Sequence, residues 1–418
     1  MFGAYYSPAH CCAPWANAAV RAQADTQRPV PIYVNMHVIT PRYDLQALRA
    51  QIPLLADTIP LNNCSQAPLT TVARAAANRF LDDWNRHGMD WDAWISEVER
   101  ARRVFATLIN ADVDEIAVMS SVSHATSAVA SALQFTPARN VVVASGAEFP
   151  TVGQVWLAQE RRGASVRWVP VVDGAVPANG YAPAIDERTV IVSAAHAYYQ
   201  NGAIQDIAAI TQRAHEHGAL CFVDAYQSLG VIPVDVKATT IDFLASGTLK
   251  YLMGTPGIAF LYVRRALIER LEPTVTGWFG RVNPYAFSAT TLDWAATAAR
   301  FDGGTPPLLP AYISRASIEL LCALGIDAVH EYTQQLSRLL VQGAEQRGLV
   351  VHGRGLSAPK TPSTAIVCVD AHAVEAALRK RNIIVSARGP AIRLAPHGYN
   401  TPTEIEVALD ALVDVINA

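Results

Sequence analysis

The sequence predicts an α/β fold: a mostly parallel central sheet sandwiched by helices, with a smaller C-terminal α/β domain. Three observations lead there. From about residue 115, short Val/Ile/Ala-rich runs alternate with helix-period segments, the pattern of strands buried on both faces. At 418 residues and 51% hydrophobic content, the chain can fill one large core and a second, smaller one. A long helical stretch at about 308–347 separates the alternating region from a last α/β unit at about 348–418.

Taken in order, residues 1–40 are rich in Pro, Ala and aromatics and have no period, so they read as an arm lying on the body or on a second subunit. Leu45, Leu48, Ile52 and Leu55 recur at helical spacing and predict a helix over 43–57. The run from Ile59 to Pro68 is turn-rich and opens the main domain. Helices are predicted at 69–87, 91–110, 124–134, 152–162, 204–217 and 264–271. Strands are predicted at 115–119, 140–144, 165–170, 189–194, 219–223, 241–245 and 257–263. In such sheets ligands bind beyond the carboxyl ends of the strands.

The net charge of −3 and pI near 6.4 argue against nucleic acid or an anionic membrane surface as partner. No apolar run approaches the roughly 20 residues that span a bilayer. The start of the chain lacks the basic and apolar segments of a signal peptide, so a cytoplasmic enzyme is expected. Six cysteines in a chain this long do not make a disulfide framework, and CxxC spacing is absent, so no structural metal is expected. Cys221, Cys322 and Cys368 read as buried small hydrophobes, whereas Cys11 and Cys12 fall in the arm. Neither GxGxxG nor GxxxxGK[ST] occurs, which speaks against a nucleotide fold.

The chemistry concentrates around Lys250, in Ser246-Gly247-Thr248-Leu249-Lys250. A lysine beside apolar segments is ordinarily a surface residue with its stem packed down. Here it follows Asp224, at the end of the apolar run Cys221-Phe222-Val223, by about one strand–helix–strand step. That arrangement suits pyridoxal 5′-phosphate (PLP): the amine condenses with the aldehyde, and the carboxylate keeps the ring nitrogen protonated. Asp224 serves equally well as a helix cap, but Gln227 three residues on is placed to reach the same ligand. Ser121-Val122-Ser123 opens a helix after a strand and offers a phosphate cradle, or merely a serine cap. Phe149, in Glu148-Phe149-Pro150, is either a core aromatic or a plate against a flat ring. Arg393 alternates with apolar neighbours on a strand and calls for an anion, which is either a substrate carboxylate or an internal ion pair, with Arg388 as a second candidate.

These motifs, with Leu61-Asn62-Asn63, Phe301-Asp302-Gly303-Gly304-Thr305 and Tyr399-Asn400, occur in the order of the class V aminotransferase family of fold-type I PLP-dependent enzymes, which the chain resembles over about 58–415. That family includes cysteine desulfurases, selenocysteine lyases, isopenicillin N epimerases and kynureninases. The resemblance implies an N-terminal arm and helix over 1–57 packing on the small domain or a partner subunit, a large PLP-binding domain over 58–307, and a bridging helix with a small domain over 308–418. It implies that Lys250 carries the cofactor and shuttles the Cα proton, that Asp224 pairs with the ring nitrogen, and that Gln227 meets the ring oxygen. Val122, Ser123, Ser246 and Thr248 hold the phosphate on this reading, while Gly304 and Thr305 reach the phosphate of a neighbouring subunit's cofactor. The last role implies a homodimer with shared active sites. Arg393, Arg388, Asn63, His196 and Trp278 are the implied contacts to an amino-acid substrate.

The departures direct the functional expectation. Phe149 stands where many relatives place a histidine, and Ser-Gly-Thr-Leu-Lys replaces the Ser-x-His-Lys of desulfurases. The run from Asn382 to Ile392 is short and has no cysteine, so the usual persulfide mechanism lacks its thiol. The first expectation is therefore a C–S lyase acting by α,β-elimination on an S-substituted cysteine. Epimerisation and transamination are the alternatives that start from the same proton removal.

Overall fold

The computed structural model describes residues 39–177, 179–353 and 359–418. The arm, with Cys11 and Cys12, lies outside the described residues. In chain order the strands are β1 (Ile59–Pro60), β2 (Ile116–Met119), β3 (Val141–Ser145), β4 (Ser165–Val169), β5 (Thr189–Ala195), β6 (Leu220–Asp224), β7 (Phe243–Gly247), β8 (Ala259–Val263), β9 (Thr364–Val367), β10 (Ile383–Ile384), β11 (Ser386–Arg388) and β12 (Ala391–Leu394). The helices are α1 (Leu45–Ala50), α2 (Thr71–His87), α3 (Trp91–Leu108), α4 (Val122–Ala132), α5 (Pro150–Ala158), α6 (Ile207–Glu216), α7 (Val236–Thr239), α8 (Arg265–Ile268), α9 (Leu308–Leu324), α10 (Ile326–Gln346), α11 (Ala371–Arg379) and α12 (Pro402–Asn417).

Seven strands form the main sheet in the order β2-β8-β7-β6-β5-β3-β4. All of its pairings are parallel except the two made by β8. Alternate residues of each strand feed opposite cores. Val223 and Leu244 join Phe105, Ile210 and Ile318 of α3, α6 and α9 on one face. Phe222 and Phe243 join Val129 and Trp156 of α4 and α5 on the other. This two-sided burial is why the strands read as continuous apolar runs instead of alternating ones. A third core lies around the antiparallel sheet β11-β12-β9, built with α10, α11 and α12, and Ile39, Tyr43 and Leu45 pack against it. Arg49 ties α1 to α12 through Glu404 at 2.8 Å.

Several expected elements change at their ends for local reasons. The helix expected over 43–57 stops at Ala50, and a 3-10 turn runs over Pro53–Ala56, because Pro53 lacks the N–H the helix needs and strains the residue before it. The single helix expected over 308–347 is two helices, broken at Gly325 (φ +83°) and bent by 80°. Helix α4 begins at Val122, earlier than expected, because Ser121 caps it by accepting the His124 N–H. Cys221 and Cys368 are buried as expected, but Cys322, on α9, is exposed. No single helix among the described residues is long and apolar enough to cross a membrane.

One buried ion pair links these layers below the site. Arg102 of α3 donates to Asp302 at 2.8 Å and to the Ile116 carbonyl, while Asp302 accepts the Val118 N–H at 2.7 Å. Asp302 opens the Gly303-Gly304-Thr305 loop, so the pair fixes that loop to β2. Arg102→Ala leaves Asp302 buried without its cation and is expected to cost about 3–5 kcal/mol. The check is a lowered thermal midpoint that the added change Asp302→Asn partly restores.

Candidate active site

The carboxyl ends of the parallel strands open into one cavity of about 380 Å³. Strand β6 delivers Asp224 to its floor, the turn after β7 delivers Lys250, and the start of α4 supplies Ser121, Val122 and Ser123. Phe149, Tyr199, Tyr226 and Gln227 line the walls, and Cys64, Ser65, Arg388 and Arg393 line the side formed with β11 and β12.

Lys250 is half-buried, its Nζ 4.1 Å from the Tyr226 ring centroid and 5.6 Å from that of Phe149. Burial pushes its amine down to about 8; Asp224 and Cys64 act against that shift, and Arg393 and Arg388 add to it. The lysine thus has a free-amine fraction near neutral pH. Gly247 is obligatory beside it, since a Cβ there would stand 2.3 Å from the Tyr226 ring. Asp224 accepts the Tyr226 N–H at 2.9 Å. Burial raises its carboxyl, opposed by that N–H and by the charge of Lys250.

Gln227 donates to the Cys64 carbonyl at 3.0 Å, which fixes the turn after β1 against the floor. Val122 and Ser123 are the first two residues of α4, so their N–H groups have no acceptor within the helix, and both residues line the cavity. Phe149 is 40% exposed and meets Tyr199 edge-on at 5.2 Å, so it is a wall of the cavity and not a core aromatic.

Arg393 is only 1% exposed. It donates to the Tyr199 carbonyl at 2.6 Å and to the hydroxyls of Ser65 and Ser386 at 2.9 and 2.7 Å. All three acceptors are neutral, its Nε is buried with no partner, and it forms no ion pair with a carboxylate among the described residues. The internal ion pair is thereby excluded. Arg388 pairs with Ala391 in the hairpin in which Ser386 pairs with Arg393, so it shares the cavity face. It is exposed, its guanidinium 6.0 Å from the Tyr199 ring centroid.

Other expected contacts lie elsewhere. His196 is buried against Ser228 at 2.9 Å, and burial pushes it down to about 4; its neighbours Ala195 and Ala197 take the cavity positions. Asn63 accepts from Tyr399 and donates to the Ala395 carbonyl, both at 2.8 Å, so its amide is spent on packing. Ser246 turns its hydroxyl to the Gly247 carbonyl, and Thr248 turns its own to Ser314 and the Thr255 carbonyl. Neither hydroxyl is left for a phosphate. Trp278 packs among Phe279, Tyr285 and Phe287 in a separate surface depression, and Gly304 and Thr305 are exposed on a loop outside this cavity. Tyr199, Tyr226 and Ser65, not singled out as site residues from the sequence, do line the cavity. The signal was present only for Tyr226, which sits inside the Asp224–Gln227 motif.

The donor set fits PLP: an amine for the aldehyde, a buried carboxylate for the ring nitrogen, a helix start for the phosphate, and an aromatic plate for the ring. Lys250, Asp224, the N–H groups of Val122 and Ser123, Phe149 and Gln227 are the residues that would hold it. No group of three or more potential metal ligands occurs among the described residues.

Residues 74–400 match the family model described as Aminotransferase class-V. The "Uncharacterized aminotransferase YcbU" of Bacillus subtilis (strain 168) is 37% identical, covering 87% of this chain and 96% of the relative. A kynureninase of Pseudomonas fluorescens is 28% identical over 89% and 92% of the two chains. Among solved structures, an apo cysteine desulfurase from Thermococcus onnurineus NA1 superposes with a TM-score of 0.81 at 20% identity, covering 90% of this chain and 99% of the other. The cystine C–S lyase C-DES, in complex with cysteine persulfide, superposes with a TM-score of 0.79 at 23% identity, covering 87% and 99%. At these identities the two structures share the fold.

The depressed amine makes cofactor capture depend on pH in a definite direction. The free amine is the reacting form, so the rate at which apo-protein captures PLP should rise with pH, level off above about 8, and not climb on towards the ordinary lysine value of 10.5. Borohydride reduction and mass mapping to Lys250 measure it. Gly247→Ala, which drives a Cβ into the Tyr226 ring, is expected to lower that capture severely at every pH.

Proposed function

The chain belongs to the class V aminotransferase family, and on that premise we propose that it is a PLP-dependent lyase cleaving the C–S bond of an S-substituted cysteine by α,β-elimination. Bound PLP supplies a sink for the electron pair released at the substrate Cα. Arg393 takes the substrate carboxylate through its unsatisfied N–H groups, which orients the Cα–H bond towards Lys250. Lys250, once its amine is free, removes that proton; its lowered pKa makes it a base near neutral pH. Asp224 holds the proton on the ring nitrogen. The C–S bond then breaks with its electron pair leaving on sulfur, and sulfur is protonated. Addition of one water gives pyruvate and ammonium beside the thiol, which balances the reaction.

The observation that carries the reading is Arg393: a buried guanidinium without a carboxylate, in one cavity with Lys250 and Asp224. Elimination is favoured over persulfide transfer because the β10–β12 hairpin is short and has no cysteine to deliver. Cys64 lines the cavity but is buried, with its backbone fixed by Gln227. Transamination is the second reading, favoured by the similarity to a relative named as an aminotransferase.

The same proposal includes a homodimer. Val282, Tyr285, Phe287 and Leu292 expose apolar surface beside Trp278, and a second copy would cover it while receiving Gly304 and Thr305 near its cofactor phosphate. Free thiols at Cys64, Cys221 and Cys368 suit the reducing cytoplasm.

Incubation of the PLP-loaded protein with S-substituted cysteines in heavy water separates the outcomes. Pyruvate with free thiol is the expected result. An α-deuterated substrate of inverted configuration would assign epimerisation instead, and conversion of the cofactor to its amine form would assign transamination. Lys250→Ala should abolish all three. Arg393→Ala, which removes two or more charge-assisted hydrogen bonds, is expected to raise KM by roughly a hundredfold.

A further inference from the structure

Behind the cavity floor lies a second carboxyl group to which the reaction above assigns no task. Glu148, in the turn after β3, is buried. Its Oε1 accepts the Ala195 N–H at 2.9 Å, and Ala195 pairs directly with Asp224 in the β5–β6 ladder. Its Oε2 is buried with no hydrogen bond formed. Ser145 lies against this carboxyl and also against the phenols of Tyr181 and Tyr198. Both phenol oxygens are likewise buried without a partner. Glu148 therefore closes a buried pocket in which its own carboxyl is the one group that can carry a full charge, and no cation faces it.

We propose that Asp224 and Glu148 hold one proton between them and that it rests on Glu148, a positioning residue whose neutral carboxyl donates into the Ser145–Tyr181–Tyr198 cluster and leaves Asp224 the single anion behind the cofactor ring. Two carboxylates this deep cannot both ionise unless a cation pairs with each. Asp224 has the Tyr226 N–H and the charge of Lys250 to support its anion, and it opens on the cavity. Glu148 has the Ala195 N–H and the Ser145 hydroxyl on its side but no cation. Burial, with the charge of Asp224 adding to it, pushes Glu148 up to about 8. The other groups facing it do not compete for the proton: burial raises both phenols, and it pushes the Cys221 thiol of β6 up to about 12. Neutrality at Glu148 matters to the site because the pair then acts as one negative charge, placed where the ring nitrogen needs it.

The sign of the linkage gives a test that does not depend on turnover. Unfolded, Glu148 loses its proton near its ordinary 4.5; folded, it keeps the proton up to about 8. Folding therefore carries a penalty that grows from one value to the other and is complete above the higher one. Glu148→Gln keeps the shape and the donor but has nothing to ionise. In the apo-protein, the thermal midpoint of Glu148→Gln minus that of the wild type should rise by several degrees between about pH 5 and about pH 8. A difference that stays flat or falls with pH overturns the proposal. A second measurement needs no variant: infrared spectra of wild-type apo-protein carrying 13C-labelled glutamate should show a protonated carboxyl band at neutral pH that bleaches as the pH is raised past about 8. Absence of that band at neutral pH overturns the proposal as surely.

Discussion

A lysine amine buried beside one aspartate at the end of a parallel sheet is the constraint around which the rest is arranged. Strand β6 has to end at Asp224, strand β7 has to end in a turn tight enough to return Lys250 to the same cavity, and Tyr226 has to lie flat between them. Gly247 is what lets the ring in. The apolar strands on both sides hold this geometry because each is packed from two faces, so neither can slide without exposing a full row of side chains. Rigidity of the sheet is thus converted into a fixed relation between one amine and one carboxylate.

The electrostatics of the cavity follow from its composition. Lys250, Arg388 and Arg393 line it against the single carboxylate of Asp224. Burial lowers the lysine pKa, with the two arginines adding to it, and the excess of cation in a partly dry cleft attracts anions. The helix start at Val122 adds a second anion position apart from the arginines. Two separated anion positions with an amine and an aromatic plate between them match a phosphorylated ring joined to an amino acid. Tyr199 organises the arginine side of the cavity: its carbonyl accepts from Arg393, its ring lies near Arg388, and it meets Phe149 edge-on.

Much of this was legible from residue patterns, because the pattern of a buried strand and the chemistry of its last residue are both written in side chains. The seven strands fall within about two residues of the expected spans for that reason. Asp224 and Arg393 stood out as charged groups at the end of, or within, an apolar run, and Lys250 and Phe149 because each follows such a run by a short turn. Contacts made by backbone were not. The Tyr199 carbonyl and the Cys64 carbonyl do their work regardless of side-chain type, so no periodicity marks them. Ser246 and Thr248 misled in the opposite sense: both are hydroxyls in the right segment, yet each hydroxyl is consumed by a neighbour that only the tertiary structure supplies. The break at Gly325 was hidden because a lone glycine inside a helical pattern is ordinarily tolerated.

Arg393 shows why such a site is both costly and selective. A guanidinium taken from water and given only neutral acceptors is less stable than one paired with a carboxylate, and its bare Nε adds to the deficit. The fold carries this cost through the hydrogen bonds that Arg393 donates to Ser65, Ser386 and the Tyr199 carbonyl, which hold the head group still without cancelling its charge. A ligand that brings a carboxylate removes the deficit; an amine of the same shape without one leaves it in place. On the function proposed above, discrimination comes from an interaction the protein leaves unfinished, and it requires the head group to be rigid beforehand, since a mobile arginine would find its own counter-ion in solvent.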